Sequence, residues 1–132
     1  MPLILIVEDD PSTQELLCQI FTGEGYECLA CTEAEEVDAA IKDRIPDVAL
    51  FDINLPGEHG VSLAWRLRER LKDMPIIVLS SALGRWDVDD ILDCGVDAVM
   101  GKPFELPKLK AIVRDAISHG RDVARWKSRR TP

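Results

Sequence analysis

Five short apolar runs, each followed by a stretch with helical spacing, limit what this chain can fold into more than any other feature. The runs cover residues 3–7, 26–31, 48–51, 76–79 and 98–100. They are rich in branched residues, and most are apolar throughout, as expected of strands buried on both faces of a parallel sheet. After the first run, Asp10-Pro11 reads as an N-cap and first helical residue. That helix runs to about Glu24 with Leu16, Leu17, Ile20 and Phe21 on its inner face, and Gly25 ends it. Thr32-Glu33-Ala34-Glu35 has the form of a capping box, opening a second helix that buries Val37, Ala40 and Ile41. The third helix spans roughly 61–71 and carries Leu63, Leu67 and Leu71 inward. The fourth, 86–94, turns Val88, Ile91 and Leu92 inward and leaves Asp87, Asp89, Asp90 and Asp93 to water. The fifth begins near Leu106 or Pro107, carries Leu109, Ile112, Val113, Ala116 and Ile117, and fades near Gly120. Five β–α units in 132 residues imply one α/β domain, a parallel sheet with helices on both faces.

Charge is unevenly spread. Residues 1–118 carry 11 basic and 23 acidic side chains, whereas residues 119–132 carry 5 and 1. The acidic body argues against nucleic-acid binding through this domain. The basic residues Arg121, Arg125, Lys127, Arg129 and Arg130 read as a solvated tail or linker stub (120–132) after a domain of residues 1–119. Nothing approaches the ~18 apolar residues of a membrane span. The first apolar run lacks a basic flank and ends in acids, unlike a signal peptide, so the cytoplasm is the expected location. Cys28 and Cys31 have redox or zinc spacing, but positions three apart on a strand face opposite sides and no second ligand pair follows. Ordinary reduced thiols are expected. Trp86 and Trp126 are candidate surface aromatics.

Four polar signals sit at the ends of apolar runs: Glu8-Asp9, Asp52, Ser80 and Lys102. In open parallel sheets, ligands bind outside the carboxyl ends of the strands. Two carboxylates ~4 Å apart repel by roughly 4 kcal/mol at an effective dielectric near 20. A cluster of Glu8, Asp9 and Asp52 therefore calls for a hard divalent cation, and Mg²⁺ suits carboxylate, carbonyl and water oxygens. Asp52 could then attack a phosphoryl group to form an acyl phosphate. Lys102 would screen the anionic oxygens and Ser80 would donate to one. Taken singly, Lys102 is an ordinary turn lysine, Ser80 a strand-end cap and Glu8-Asp9 a chance acidic pair. Their joint position at separate strand ends favours the site.

The segments Val7-Glu8-Asp9-Asp10, Asp52 with Leu55-Pro56 and Gly60, Pro75-Ile76-Ile77-Val78-Leu79-Ser80, and Lys102-Pro103-Phe104 together resemble the receiver domain of two-component response regulators, over about residues 3–119. The resemblance implies a flavodoxin-like fold with strand order 2-1-3-4-5 and five helices. It implies Asp52 as phosphoacceptor, Asp9 as a direct Mg²⁺ ligand (Mn²⁺ substituting), Glu8 acting mostly through water, and the backbone carbonyl of Asn54 as a further ligand. Ser80 matches the hydroxyl that follows the phosphoryl group, and Lys102 the family lysine, with a cis Lys102–Pro103 bond. The donor would be a phosphohistidine on a histidine kinase or histidine phosphotransfer protein. The domain would catalyse only its own phosphorylation and hydrolysis, signal to an unknown downstream protein, and exist as a monomer or as a weak dimer through the helix 4–strand 5–helix 5 face.

Two positions depart from the family pattern. Val99 stands where Tyr or Phe is usual, so the coupling of Ser80 to a turning ring is altered. Ser81 stands where Ala or Gly is commonest. Val99 is also the support for an alternative, a phosphorylation-independent interaction module. An aspartate-nucleophile phosphatase of the haloacid dehalogenase type would place Asp-x-Asp after the first strand. Here Asp52 follows the third, and Asn54 takes the second acidic position.

Overall fold

A computed structural model describes residues 1–55, 59–81 and 88–121. Its elements alternate as expected: β1 (Leu3–Val7), α1 (Pro11–Gly23), β2 (Glu27–Cys31), α2 (Glu35–Asp43), β3 (Val48–Asp52), α3 (Gly60–Arg70), β4 (Ile76–Ser80), α4 (Val88–Asp93), β5 (Ala98–Gly101) and α5 (Leu106–His119). The five strands form one sheet in the order β2-β1-β3-β4-β5, and every pairing is parallel. Expectations for Trp86, Asp87, Trp126 and the tail beyond Arg121 fall outside the described residues. Among the described residues, no helix is long and apolar enough to cross a membrane.

The strands' period of two divides the core into two layers. Ile4, Ile6, Val48, Leu50, Ile77, Leu79, Ala98 and Met100 face α1 and α5, where Leu17, Phe21, Leu109, Ile112, Val113 and Ala116 complete the packing. Leu5, Val7, Ala49, Phe51, Val78 and Val99 face the other way, toward Val37 and Ile41 of α2, Leu63, Ala64 and Leu67 of α3, and Ile91 of α4. Each fully buried Leu, Ile or Val contributes about 1.5–3 kcal/mol over its exposed state. Cys28 belongs to the first layer and Cys31 to the second, so the Cys-x-x-Cys pair is split across the sheet and all four cysteines are free thiols.

Two helix details differ from the sequence reading. Leu16 is half-exposed, because the inner face of α1 centres on Leu17 and Phe21, one turn apart, and Leu16 sits about 100° round from it. The capping box does not form on Thr32. Ala34 is the N-cap residue of α2, and the Glu36 carboxylate, one position beyond the expected Glu35, accepts the N–H groups of Thr32 at 3.2 Å and Glu33 at 3.1 Å.

A buried ionic knot closes the amino edge of the sheet, where β4 and β5 begin. Asp97 is 5% exposed. Its Oδ2 accepts Nη2 of Arg68 at 2.8 Å and the N–H of Ile76 at 2.9 Å; its Oδ1 accepts Nε of Arg121 at 3.0 Å. Arg68 also donates to the carbonyls of Gly95, Leu71, Lys72 and Met74. Gly95 has φ of 97°, and a Cβ there would stand 2.9 Å from the Arg68 side chain, so only glycine fits the turn. Arg121, read from sequence as the start of a solvated tail, is thus paired to the sheet.

Candidate functional site

Strand register brings the polar run-ends together. Val7 lies beside Phe51, Asp52 beside Leu79, and Ser80 beside Gly101. Glu8, Asp52, Ser80 and Lys102 therefore leave the sheet at the same carboxyl edge. The Nζ of Lys102 donates to Oδ2 of Asp52 at 2.6 Å and to Oε1 of Glu8 at 2.8 Å. These three residues are separated by 44 and 50 positions in sequence and by one hydrogen bond in space. Oδ1 of Asp52 accepts the N–H of Asn54 at 2.8 Å. Ser80 is buried, and its carbonyl accepts the N–H of Lys102 at 2.7 Å, tying the end of β4 to the lysine. The Lys102–Pro103 bond is cis.

The three consecutive acids have three different environments. Glu8 is buried and uses both oxygens inside the protein, Oε1 on Lys102 and Oε2 on the N–H of Asp10 at 3.4 Å. Asp9 is exposed at the mouth of the site. Asp10 caps α1, its Oδ2 accepting the N–H of Thr13 at 3.1 Å and the Thr13 hydroxyl at 2.5 Å. Those two bonds hold the Asp10 carboxyl below its ordinary range and commit it to the helix.

Burial pushes the pKa of Glu8 up, with help from the Asp9 carboxyl, against the lowering pull of Lys102 and the Asp10 N–H. For Lys102 burial acts downward, but the bonds to Asp52 and Glu8 outweigh it and its pKa is raised. One firmly charged ammonium thus serves two buried carboxylates, with a third beside them. Among the described residues the donors gathered here are the oxygens of the three carboxylates, with the Asn54 backbone tied to Asp52 through its N–H. Among the described residues, no three His, Cys, Asp or Glu side chains form a ready-made cage. Mg²⁺ needs none, since it keeps several waters and takes one or two carboxylates. The oxygen set and the excess of negative charge fit that ion.

Two contributors were not assigned these roles from sequence. Gly60 was read only as part of a motif. Its N–H donates to the Ile53 carbonyl at 2.7 Å, and a Cβ would stand 2.6 Å from Ile53 Cα and 2.8 Å from the Asp52 carbonyl oxygen. The start of α3 is pressed onto the backbone that follows Asp52, and only glycine permits it. The second is Gln14 in the first turn of α1, whose Nε2 donates to the carbonyls of Glu8 at 3.2 Å and Cys31 at 3.0 Å. Val99 is 3% exposed and packs within the α2–α3–α4 layer, while Ser81 is exposed.

A doubly wound sheet with an acid–lysine cluster at its carboxyl edge defines a class, and comparison with known proteins agrees. Residues 4–114 match the family model of the response regulator receiver domain. The chain belongs to that family, the receiver domains of two-component systems. It is 37% identical over 117 residues to the phosphate regulon transcriptional regulatory protein PhoB of Pseudomonas aeruginosa, covering 84% of this chain and 51% of that protein. It is 33% identical over 119 residues to the DNA-binding response regulator MtrA of Mycolicibacterium smegmatis, covering 90% and 52%. The chain thus spans about half the length of the curated relatives it matches. Among solved structures, the receiver domain of the TMAO respiratory response regulator TorR shares 35% identity at a TM-score of 0.82, covering 89% of this chain and 98% of that one. TrrA of Thermotoga maritima, solved in complex with Mg²⁺ and BeF, shares 30% identity at a TM-score of 0.78, covering 87% and 98%.

Proposed function

We propose that this receiver accepts a phosphoryl group on Asp52 from the phosphohistidine of a histidine kinase or histidine phosphotransfer protein, in a reaction that requires Mg²⁺ or Mn²⁺, and that the phosphate changes which downstream protein it binds. The observation that carries this reading is the Lys102 ammonium, 2.6 Å from Asp52 and 2.8 Å from Glu8.

Oδ1 of Asp52 is held by the Asn54 N–H and Oδ2 by Lys102, so Oδ2 attacks as the lysine shifts off it. The Oδ2–P bond forms as the P–N bond to imidazole breaks, and the imidazole leaves with the electron pair. Lys102 already touches Oδ2, so a small shift places its charge on a phosphoryl oxygen while Glu8 keeps hold of it. The Ser80 hydroxyl, at the buried end of β4, is a short donor for a second oxygen. Bound Mg²⁺, held by Asp9, Asp52 and the Asn54 carbonyl and through water by Glu8, would neutralise charge on the phosphoryl group. Hydrolysis of the acyl phosphate at the same site would reset the switch. The domain is therefore a switch that acts on itself, working in the cytoplasm where kinase phosphohistidines are formed.

The test is labelling of the full chain with acetyl phosphate. Intact mass should rise by one phosphoryl group in Mg²⁺, and neither the EDTA-treated protein nor Asp52→Asn should show the gain. Undiminished labelling of Asp52→Asn would sink the assignment.

A further inference from the structure

Asp9 must meet a cation at the mouth of the site, and its aim depends on the peptide group that joins it to Glu8. Glu8 is tied at four points. Its N–H donates to the Cys31 carbonyl at 3.0 Å, Oε1 takes Lys102, Oε2 takes the Asp10 N–H, and its carbonyl takes Nε2 of Gln14 at 3.2 Å. The last of these acts directly on the Glu8–Asp9 peptide plane. A primary amide nitrogen carries two N–H groups. Gln14 uses them to span two carbonyls, Glu8 at the end of β1 and Cys31 at the end of β2.

Gln14 is itself well anchored. Its main-chain N–H bonds the Asp10 carbonyl at 2.9 Å, in the turn that Asp10 caps. It carries no net charge, so replacing it by a neutral residue leaves the net charge of the site unchanged. A peptide plane held from its carbonyl side fixes the axis about which Asp9 turns. The carboxylate is then oriented before a cation arrives, and the entropy of ordering it does not subtract from binding.

We infer that Gln14 is a positioning residue for Asp9, bridging the Glu8 and Cys31 carbonyls so that the acidic turn is preset for a divalent cation. This rests on the reading that Asp9 and Asp52 hold Mg²⁺, and the experiment separates the two.

The ¹⁵N-labelled full chain is titrated with Mg²⁺ and followed at the Asp9 and Asn54 amides. Four proteins are compared: wild type, Gln14→Met, Gln14→Ala and Gln19→Met. Methionine keeps the length and helix propensity of glutamine without its donors. Gln19 lies on the same helix and, among the described residues, pairs locally with Glu15 at 3.4 Å, so its variant controls for changes to α1. Both Gln14 variants should bind Mg²⁺ about tenfold more weakly, as loss of a ligand-orienting partner does elsewhere. In the metal-free state they should also lower the backbone order parameter of Asp9, a readout that general destabilisation of the helix would not confine to that residue. Gln19→Met should match wild type in both. Gln14 variants that match wild type in affinity and in Asp9 order would overturn the inference while leaving the metal site standing. A wild type whose amides ignore Mg²⁺ would overturn both.

Discussion

The two edges of the sheet each bury an aspartate against basic side chains, with opposite charge ratios. At the carboxyl edge, Lys102 is the one cation that the described residues place against Asp52 and Glu8, and Asp9 adds a third carboxylate. At the amino edge, Asp97 is the one buried acid among the described residues before Arg68 and Arg121, with the exposed Asp73 adding its charge near Arg68. The surplus cation at the amino edge is absorbed internally, because Arg68 spends its remaining donors on four main-chain carbonyls. Among the described residues the surplus anion at the carboxyl edge has no such internal outlet, and burial pushes the pKa of Glu8 up. One edge is a closed structural knot. The other is short of positive charge, the condition that favours a divalent cation, and such a cation would in turn offset the charge of a phosphoryl group.

The comparison can be broken most directly at Asp97. Asp97→Ala strands two arginines and the Ile76 N–H without their shared acceptor. Removing one partner of a buried ion pair costs about 3–5 kcal/mol, and urea unfolding should show a loss of that order. Mg²⁺ affinity in the folded fraction should be unchanged, since the knot lies at the far end of β4 and β5. A loss below about 1 kcal/mol, the range of exposed pairs, would mean that the arginines simply turn to water.

A smaller effect is expected where the two roles meet, at Gly60. Gly60→Ala drives a methyl group into the Ile53 and Asp52 backbone, and overpacking of this kind costs about 1–3 kcal/mol. The displaced atoms include the Asp52 carbonyl, so labelling by acetyl phosphate should slow as well. Full labelling in a destabilised Gly60→Ala protein would show that the backbone after Asp52 yields without disturbing its carboxylate.

The contrast between the edges also explains what could be read without coordinates. Asp52, Ser80 and Lys102 announce themselves because each breaks an apolar run at its end, and parallel strands must deliver such residues to one edge. Asp97 sends no comparable signal. One acid before a four-residue strand reads as a turn, and its partners lie 29 and 24 positions away with no spacing rule linking them. Gln14 fails for a related reason, since a glutamine in a first helical turn is usually solvated and its two acceptors are main-chain atoms that any sequence would offer. The capping box failed by one residue, because Glu36 rather than Glu35 bends back to the turn.

The smallest expected effect sharpens the comparison most. Asp52→Ala removes the Lys102 and Asn54 bonds, which on their own would destabilise the fold. It also removes one of the carboxylates competing for a single ammonium, and it leaves Lys102 and Glu8 as a matched buried pair at 2.8 Å. No charge is stranded, unlike at Asp97, so the two terms oppose and the metal-free protein should unfold within about 1 kcal/mol of wild type. Adding Mg²⁺ should then separate them. Wild type should gain stability by mass action if the ion binds the folded state at Asp52, whereas Asp52→Ala should gain little. Equal costs for Asp52→Ala and Asp97→Ala in the absence of metal would mean that both edges serve stability alike, and the distinction drawn between them would fail.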